Sequence, residues 1–207
     1  MAFDMGRLLQ PGRVAILLSE VQRRIIGDLA NNAPLAQAAA QVGVIGASAR
    51  LARLAREHGA PVIHCLAVTA PGRFGGNTNA RLFKGSSKAG ERPPYDKAGD
   101  TPCQEVWQEG DILSPREHGL HPMADNQLDR RLRNQGITTV IVAGVSLNVA
   151  LVGMVEEAVN SSYQVIVAKD ACAAYPVEYG PAVLANTMSL ISTLATVDEI
   201  AAAWPKA

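Results

Sequence analysis

The chain has 207 residues, enough for one well-cored α/β domain or at most two small ones. Hydrophobic residues make up 48% of it and aromatics only 4%, so the core must be built from Ala, Val, Leu and Ile, the usual filling of a buried parallel sheet under Ala-rich helices. Its 19 basic and 19 acidic residues cancel and are scattered, which argues against a nucleic-acid partner and against a membrane anchor.

From the N-terminus, the first residues carry no apolar segment of signal-peptide length. Residues 13 to 19, RVAILLS, read as a buried strand, and Glu20, Val21 and Gln22 stand where the chain leaves the sheet. After a polar segment that ends at Pro34, Leu35, Ala38, Val42, Ile45, Ala49 and Ala52 mark the apolar face of one long helix closed by Gly59, with Arg50, Arg53, Arg56 and Glu57 on its solvated side. Gly43 and Gly46 fall inside this helical pattern with no strand before them, so a dinucleotide fingerprint is rejected. PVIHCLA, 61 to 67, is a second strand, parallel to the first.

From 68 to 110 the periodicity dissolves into Gly, Pro and charge: Arg73, Arg81, Lys84, Lys88, Glu91, Arg92, Asp96 and Lys97. A stretch of this length without elements reads as a lid or interface loop, with disorder as the alternative; Phe74, Phe83, Tyr95 and Trp107 argue against full disorder. Residues 111 to 114 read as a short strand ended by Pro115, and the next loop carries His118 and His121. Asp125 or Asn126 is placed to cap a helix through Leu128, Leu132 and Arg133 to Gly136.

Residues 138 to 155, TTVIVAGVSLNVALVGMV, carry the strongest signal. A strand buried on both faces is broken by Gly144, turns through Val145, Ser146, Leu147 and Asn148, and re-enters as a helix along Val149, Val152, Val155 and Ala158. Such a strand–turn–helix aims N–H groups and a positive helix end at the carboxyl edge of a sheet, where α/β proteins bind ligands. The run is too short and too interrupted to cross a bilayer. Residues 163 to 168, YQVIVA, form another buried strand, followed by a helix from about Val177 to Ser192 with Pro181 in its first turns, a short strand at 195 to 197 and a final helical piece to Trp204. The pattern predicts a single α/β domain over 1–207, three-layered, with a five- or six-stranded parallel sheet and helices on both faces. Cys65, Cys103 and Cys172 are odd in number and unpaired in spacing, which argues against a disulfide framework or zinc ribbon and makes a reducing cytoplasm the default.

The LLSEVQ run near the start, GITTVIVAGVSLNVAL, and YQVIVAKDACAA followed by TVDEI resemble, in that order, the isochorismatase-like (cysteine) hydrolases from Arg13 to about Ile200. That resemblance implies a small-molecule substrate, no cofactor and a homo-oligomer. It also implies a catalytic Asp, Lys and Cys, and here the chain departs. The Asp position holds Glu20, the Lys position falls at Arg116 or Glu117 depending on a one-residue gap, and the nucleophilic Cys position holds Ala150. The same resemblance implies a cis peptide at Val145–Ser146. A methyl group cannot attack a carbonyl, so thioester chemistry is excluded at Ala150.

The expected site is therefore Glu20, Arg116 and Ala150, with Gln22, His64, His118, Val145, Ser146 and Asn148 as substrate contacts and no metal. Glu20 is expected to donate a proton and then orient water, the alternative being a solvated strand-end carboxylate. Arg116 is either a bidentate clamp for a substrate carboxylate or a solvated loop Arg. The N–H groups from Leu147 to Ala150 are expected to bind a polar group. His118 and His121 read as surface or substrate-contacting residues, Cys65 as a core residue in preference to a displaced nucleophile, and Asp170 and Cys172 as structural. Two other readings stand beside the non-thiol hydrolase: an inactive binding or assembly protein of the same fold, and a Cys-to-Ala form of an amidohydrolase.

Overall fold

The computed structural model describes residues 4–30, 33–83, 98–124 and 127–205. The expected cap at Asp125 or Asn126, and the loop residues Lys84, Lys88, Glu91, Arg92, Tyr95, Asp96 and Lys97, lie outside them.

Six strands are described: β1 (Val14–Ser19), β2 (Val62–Ala67), β3 (Ile112–Arg116), β4 (Thr139–Val145), β5 (Gln164–Ala173) and β6 (Thr193–Ala195). They form one sheet in the order β3-β2-β1-β4-β5-β6, with every neighbouring pair parallel. The central strands are apolar on both faces because helices cover both. Ile16 and Leu18 of β1 face α1 (Pro34–Val42) and α2 (Val44–Glu57), while Ala15 and Leu17 face α3 (Leu128–Asn134) and α4 (Val152–Asn160). The run from 177 to 191, which contains α5 (Gly180–Val183) and α6 (Ser189–Ile191), joins the second layer, and α7 (Val197–Ala203) joins the first.

Several elements differ from the sequence reading. The long helix is two helices, because Gly43 is left-handed (φ 83°) and donates its N–H to Ala39 and Ala40, ending α1 before α2 begins. β4 does not stop at Gly144 but passes through it to Val145. The glycine serves close strand approach: a Cβ there would lie 2.1 Å from the Ser19 carbonyl oxygen. β5 runs on to Ala173 because, past an irregularity, Cys172 and Ala173 pair with Gly144 and Val145. Pro115 sits inside β3; this edge strand pairs only with β2, so the missing N–H is tolerated. The last strand ends at Ala195, since Thr196 caps α7 by accepting the Glu199 N–H at 3.1 Å while donating its own to Glu199 at 2.7 Å.

Arg56 is not on a solvated face. Its Nε and Nη2 donate to both carboxylate oxygens of Asp111 (2.9 and 2.6 Å), and Nη2 also reaches the Val106 carbonyl. His64 completes the cluster with Nε2 2.9 Å from Asp111 Oδ2. Burial holds the His64 imidazole below its ordinary value, against the pull of Asp111. Burial works to raise the Asp111 carboxyl, but the hydrogen bonds from Arg56, His64 and the Gln108 N–H outweigh it and hold it low. Both groups titrate below their unfolded values, so the unfolded chain binds protons first. The stability they confer is complete above 6.5 and is lost as pH falls, first through His64 and then, below 3.8, through Asp111. Urea unfolding followed from pH 8 to pH 4 is expected to show the His64 part of this decline; Asp111→Asn removes the group that pulls the imidazole upward, so it should steepen the decline and cost about 1.5–3 kcal/mol at pH 8. A flat profile in the parent chain would remove the cluster from the acid response.

Candidate functional site

At the carboxyl edge of the sheet, the ends of β1, β2, β3 and β4 surround a cavity of about 360 Å³ lined by Glu20, Arg24, Arg116, His118, Ser146 and Ala150. Ile25, Leu35, Phe74, Leu82, Leu120 and Val149 add apolar walls. A larger hollow, about 800 Å³, lies at the opposite ends of β2 and β3 among residues such as Pro61, Val62, Ile112 and Arg131. None of the expected site residues lines it, and ligands of parallel sheets bind at the carboxyl ends.

Glu20 is the first residue past β1 and holds a left-handed backbone (φ 53°), uncommon for a residue with a side chain. Its N–H donates to the Cys65 carbonyl at 2.9 Å, continuing the β1–β2 ladder by one bond. Arg116 ends β3 opposite Ala67 of β2. From there Arg116 Nη2 donates to Glu20 Oε1 at 2.5 Å, with only 8% and 14% of the two side chains exposed. A charge-assisted bond this short and this enclosed fixes both groups. Nη2 also lies 3.4 Å from the Leu120 carbonyl, a long contact. Nε and Nη1 of Arg116 are enclosed and meet no acceptor among the described residues.

Gln22 was expected to touch substrate, but it is fully buried and spends its amide on the backbone of Ala67. Oε1 accepts the Ala67 N–H at 2.7 Å, and Nε2 donates to the Ala67 carbonyl at 3.1 Å. Arg24 Nη2 donates to the same carbonyl at 2.9 Å and pairs with Asp100 at 2.9 Å. The chain leaving β1 is thus tied to the last residue of β2, and β2 to Arg116. Sequence reasoning left Arg24 in an undivided polar segment; its place two residues beyond Gln22 was the available signal. Asn77, also missed, accepts the Gly119 N–H at 2.6 Å and shapes the loop after β3.

Opposite this pair stands Ala150, in a π-helical turn (Leu147–Leu151) that leads into α4. Val145–Ser146 is a cis peptide, at the position the resemblance implied. The Ser146 carbonyl accepts the N–H groups of Val149 and Leu151 at 3.2 and 3.1 Å, so the Val149 N–H is spent within the turn and is not offered to a ligand. Leu147 is buried in the core and does not fill the cavity. Asn148 does not line the cavity either: it donates to the Tyr175 carbonyl at 3.2 Å and accepts the Tyr175 N–H at 3.4 Å, tying the two turns together. Val145 points into the core beneath α2 and is fully buried, because the residue after Gly144 continues the strand. His64 lies on that same face, held by Asp111, while its neighbour Cys65 faces the other layer, as strand alternation dictates. Glu20, Arg116, Ala150, His118 and Ser146 share the cavity; Gln22, His64, Val145 and Asn148 do not line it.

His121 packs against α4, where a Cβ at Gly153 would lie 2.7 Å from its ring. Burial, and then the charge of Arg116, hold its imidazole below the ordinary value. No group of three or more His, Cys, Asp or Glu side chains placed to hold a metal ion occurs among the described residues. Burial pushes the thiols of Cys65, Cys103 and Cys172 up to about 12, so none is a nucleophile near neutrality. The native protein at pH 8 is expected to give no reaction with a disulfide reagent within an hour, and three thiols per chain in 6 M guanidinium. Rapid native labelling of Cys65 would restore it as a candidate nucleophile.

Among the described residues, no helix is long and apolar enough to cross a membrane. The model of the isochorismatase domain matches residues 14–199. The chain is similar in structure to an isochorismatase family protein from Burkholderia thailandensis (TM-score 0.75, 20% identity, covering 94% of this chain and 97% of that one). An isochorismatase-like hydrolase from Alkaliphilus metalliredigens gives TM-score 0.75 at 20% identity over 96% and 99% of the two chains. The N-carbamoylsarcosine amidase of Thermoplasma acidophilum gives 0.69 at 20% identity over 90% and 98%. No curated protein sequence matches the chain. At these identities the likeness to solved structures is one of fold.

Proposed function

The chain belongs to the isochorismatase domain family, and from that premise we propose that it is a hydrolase of a small polar or carboxylate-bearing substrate, working without a thiol and through Glu20. The observation that carries this reading is the Glu20–Arg116 pair, enclosed in the same cavity as Ala150. Ala150 supplies no nucleophile, and of the two carboxylates among the described residues that line the cavity, Glu20 is enclosed and Glu117 is exposed. An open cavity, with Leu147 turned into the core, supports catalysis over the binding-protein reading. The changes at Glu20 and Arg116 speak against a simple Cys-to-Ala form, which would leave the other two positions as the family has them.

Glu20 accepts a hydrogen bond from the Arg116 guanidinium. With an amide or ureide it would take a proton from water as the water oxygen bonds to the carbonyl carbon. It would then return that proton to the nitrogen as the C–N bond breaks. With an enol ether the substrate must be protonated first, so Glu20 would have to acquire a proton before the chemistry. The test is a panel of amides, ureides and enol ethers assayed with the parent chain and Glu20→Gln. Turnover by the parent that disappears in the variant supports the reading, and turnover that survives removes Glu20 from it.

A further inference from the structure

The Glu20–Arg116 pair presents a chemical tension. Its charges cancel, yet the guanidinium is only partly used. Of its nitrogens, Nη2 holds Glu20 at 2.5 Å, while Nε and Nη1, with three N–H bonds between them, have no acceptor among the described residues. Enclosed donors on a charged group are costly to leave unmet. The side chain that carries them is 8% exposed and lines the cavity. The second cation of the wall, Arg24, is already matched by Asp100 at 2.9 Å and by the Ala67 carbonyl.

From this arrangement, and resting on the hydrolase reading above, we propose that the substrate of this cavity is a monocarboxylate on an apolar body, that its carboxylate docks on Arg116, and that docking carries one proton onto Glu20. The unspent N–H groups select an oxygen acceptor with charge, since charge-assisted bonds to guanidinium are roughly twice as strong as neutral ones. A dianion is disfavoured because Glu20 already places one negative charge against Arg116. Two carboxylates sharing one guanidinium in an enclosed site repel, and the pair lowers its energy by taking up a proton. Glu20 takes it, because the ligand enters through the unmet donors and leaves Glu20 the single bond to Nη2. The proton comes from solvent, and no bond of the ligand is made or broken in this step. Ile25, Leu35, Phe74 and Val149 suit an apolar ring, and 360 Å³ holds one. Docking in this way converts the resting carboxylate into the acid that an enol ether requires.

Other ionisable groups stand around the same cavity, and the Glu20→Gln arm of the test separates their proton uptake from that of Glu20. Arg116 reaches Glu20 from β3, and Arg24 forms an ion pair with Asp100. Cys65, from β2, is already protonated, with its thiol pushed to about 12 by burial. Glu117 and His118, on the loop after β3, are exposed and also line the cavity. His121 lies behind Arg116 with its imidazole held below the ordinary value, chiefly by burial.

The experiment is calorimetric titration of the intact protein with benzoate, benzamide and phenylphosphonate at pH 7, each in two buffers of different ionisation enthalpy. Benzoate is expected to bind with close to one proton taken up, and at least tenfold more tightly than either analogue. Glu20→Gln should abolish the proton uptake while keeping or tightening benzoate binding. Arg116→Lys, which keeps the charge beside Glu20 and so preserves the fold, should weaken benzoate by about 10- to 100-fold through the loss of donors. Benzoate that fails to bind at millimolar concentration, binds with no proton uptake, or binds no better than benzamide overturns the proposal. The hydrolase reading fails separately: if Glu20→Gln turns over the amides and enol ethers of the panel as the parent does, that reading falls whatever benzoate does.

Discussion

Glu20→Gln is expected to reduce kcat/KM by about 10²–10⁴, the usual contribution of a positioned acid–base group, on whichever member of the panel the parent hydrolyses. The substitution is informative because it changes little else. Glutamine has the same length, and its amide oxygen still accepts from Arg116 Nη2 where the carboxylate does at 2.5 Å. What disappears is the charge and the proton it carries. Breaking a buried ion pair outright costs about 3–5 kcal/mol, and the retained hydrogen bond should hold the loss below that, so the variant folds. Circular dichroism and urea unfolding establish that it does, and the rate is then read on folded protein. A fall of less than about threefold would mean that chemistry in this cavity does not pass through Glu20.

Gly144→Ala should be the most damaging glycine-to-alanine change among the described residues. The new Cβ would lie 2.1 Å from the Ser19 carbonyl oxygen and 2.9 Å from its carbon, both backbone atoms of the adjoining central strand. Neither can swing aside, because Ser19 pairs with Cys65 on its other side and its hydroxyl donates to the Val145 carbonyl at 3.0 Å. The backbone at φ 113° adds strain that an L side chain rarely accepts, about 1–3 kcal/mol. The combined loss is expected to exceed about 4 kcal/mol, a large part of the 5–15 kcal/mol typical of a whole domain. Gly12→Ala is the control. That glycine also has positive φ (70°), but its added methyl meets nothing within 4 Å, so about 1 kcal/mol is expected. Soluble yield and the urea midpoint separate the two. A Gly144→Ala protein as stable as the Gly12→Ala control would show that β1 and β4 do not approach as described.

The parts of the fold that were legible in the sequence are those in which one residue's neighbours in the chain decide its state. The buried strands announced themselves through runs such as VAILLS, since a strand covered on both faces needs apolar side chains at every position. Gly43 and Gly144 misled in opposite directions for one reason. Gly43 sits in an unbroken helical pattern yet ends a helix, and Gly144 looks like a breaker yet lies within a strand. The left-handed cap and the approach of Ser19 are set by chain geometry and by a distant strand, and neither leaves a trace in periodicity. The site divides similarly. Glu20 and Ala150 could be named because the runs LLSEVQ and GITTVIVAGVSLNVAL carry the family resemblance, which assigns roles to those positions. The pairing of Glu20 with Arg116, 96 residues apart, follows from the order of β1, β2 and β3 in the sheet. His64 was misassigned because alternation alone leaves open which of His64 and Cys65 turns toward which layer; Asp111 and Arg56, from other elements, identify the face on which His64 lies.

The attachment of Gln22 and Arg24 to one peptide group gives the cavity a particular division of labour. Both side chains hold the backbone of Ala67, so the spacing between the ends of β1 and β3 is written into main-chain atoms and is indifferent to the side chain at 67. The Glu20–Arg116 pair spans the same two strand ends through side chains, beside this main-chain fastening. Under the proposed function, this main-chain part of the frame does not depend on which side chains stand at 20, 116 and 150. A cavity framed by backbone in this way keeps its shape while the side chains that line it vary.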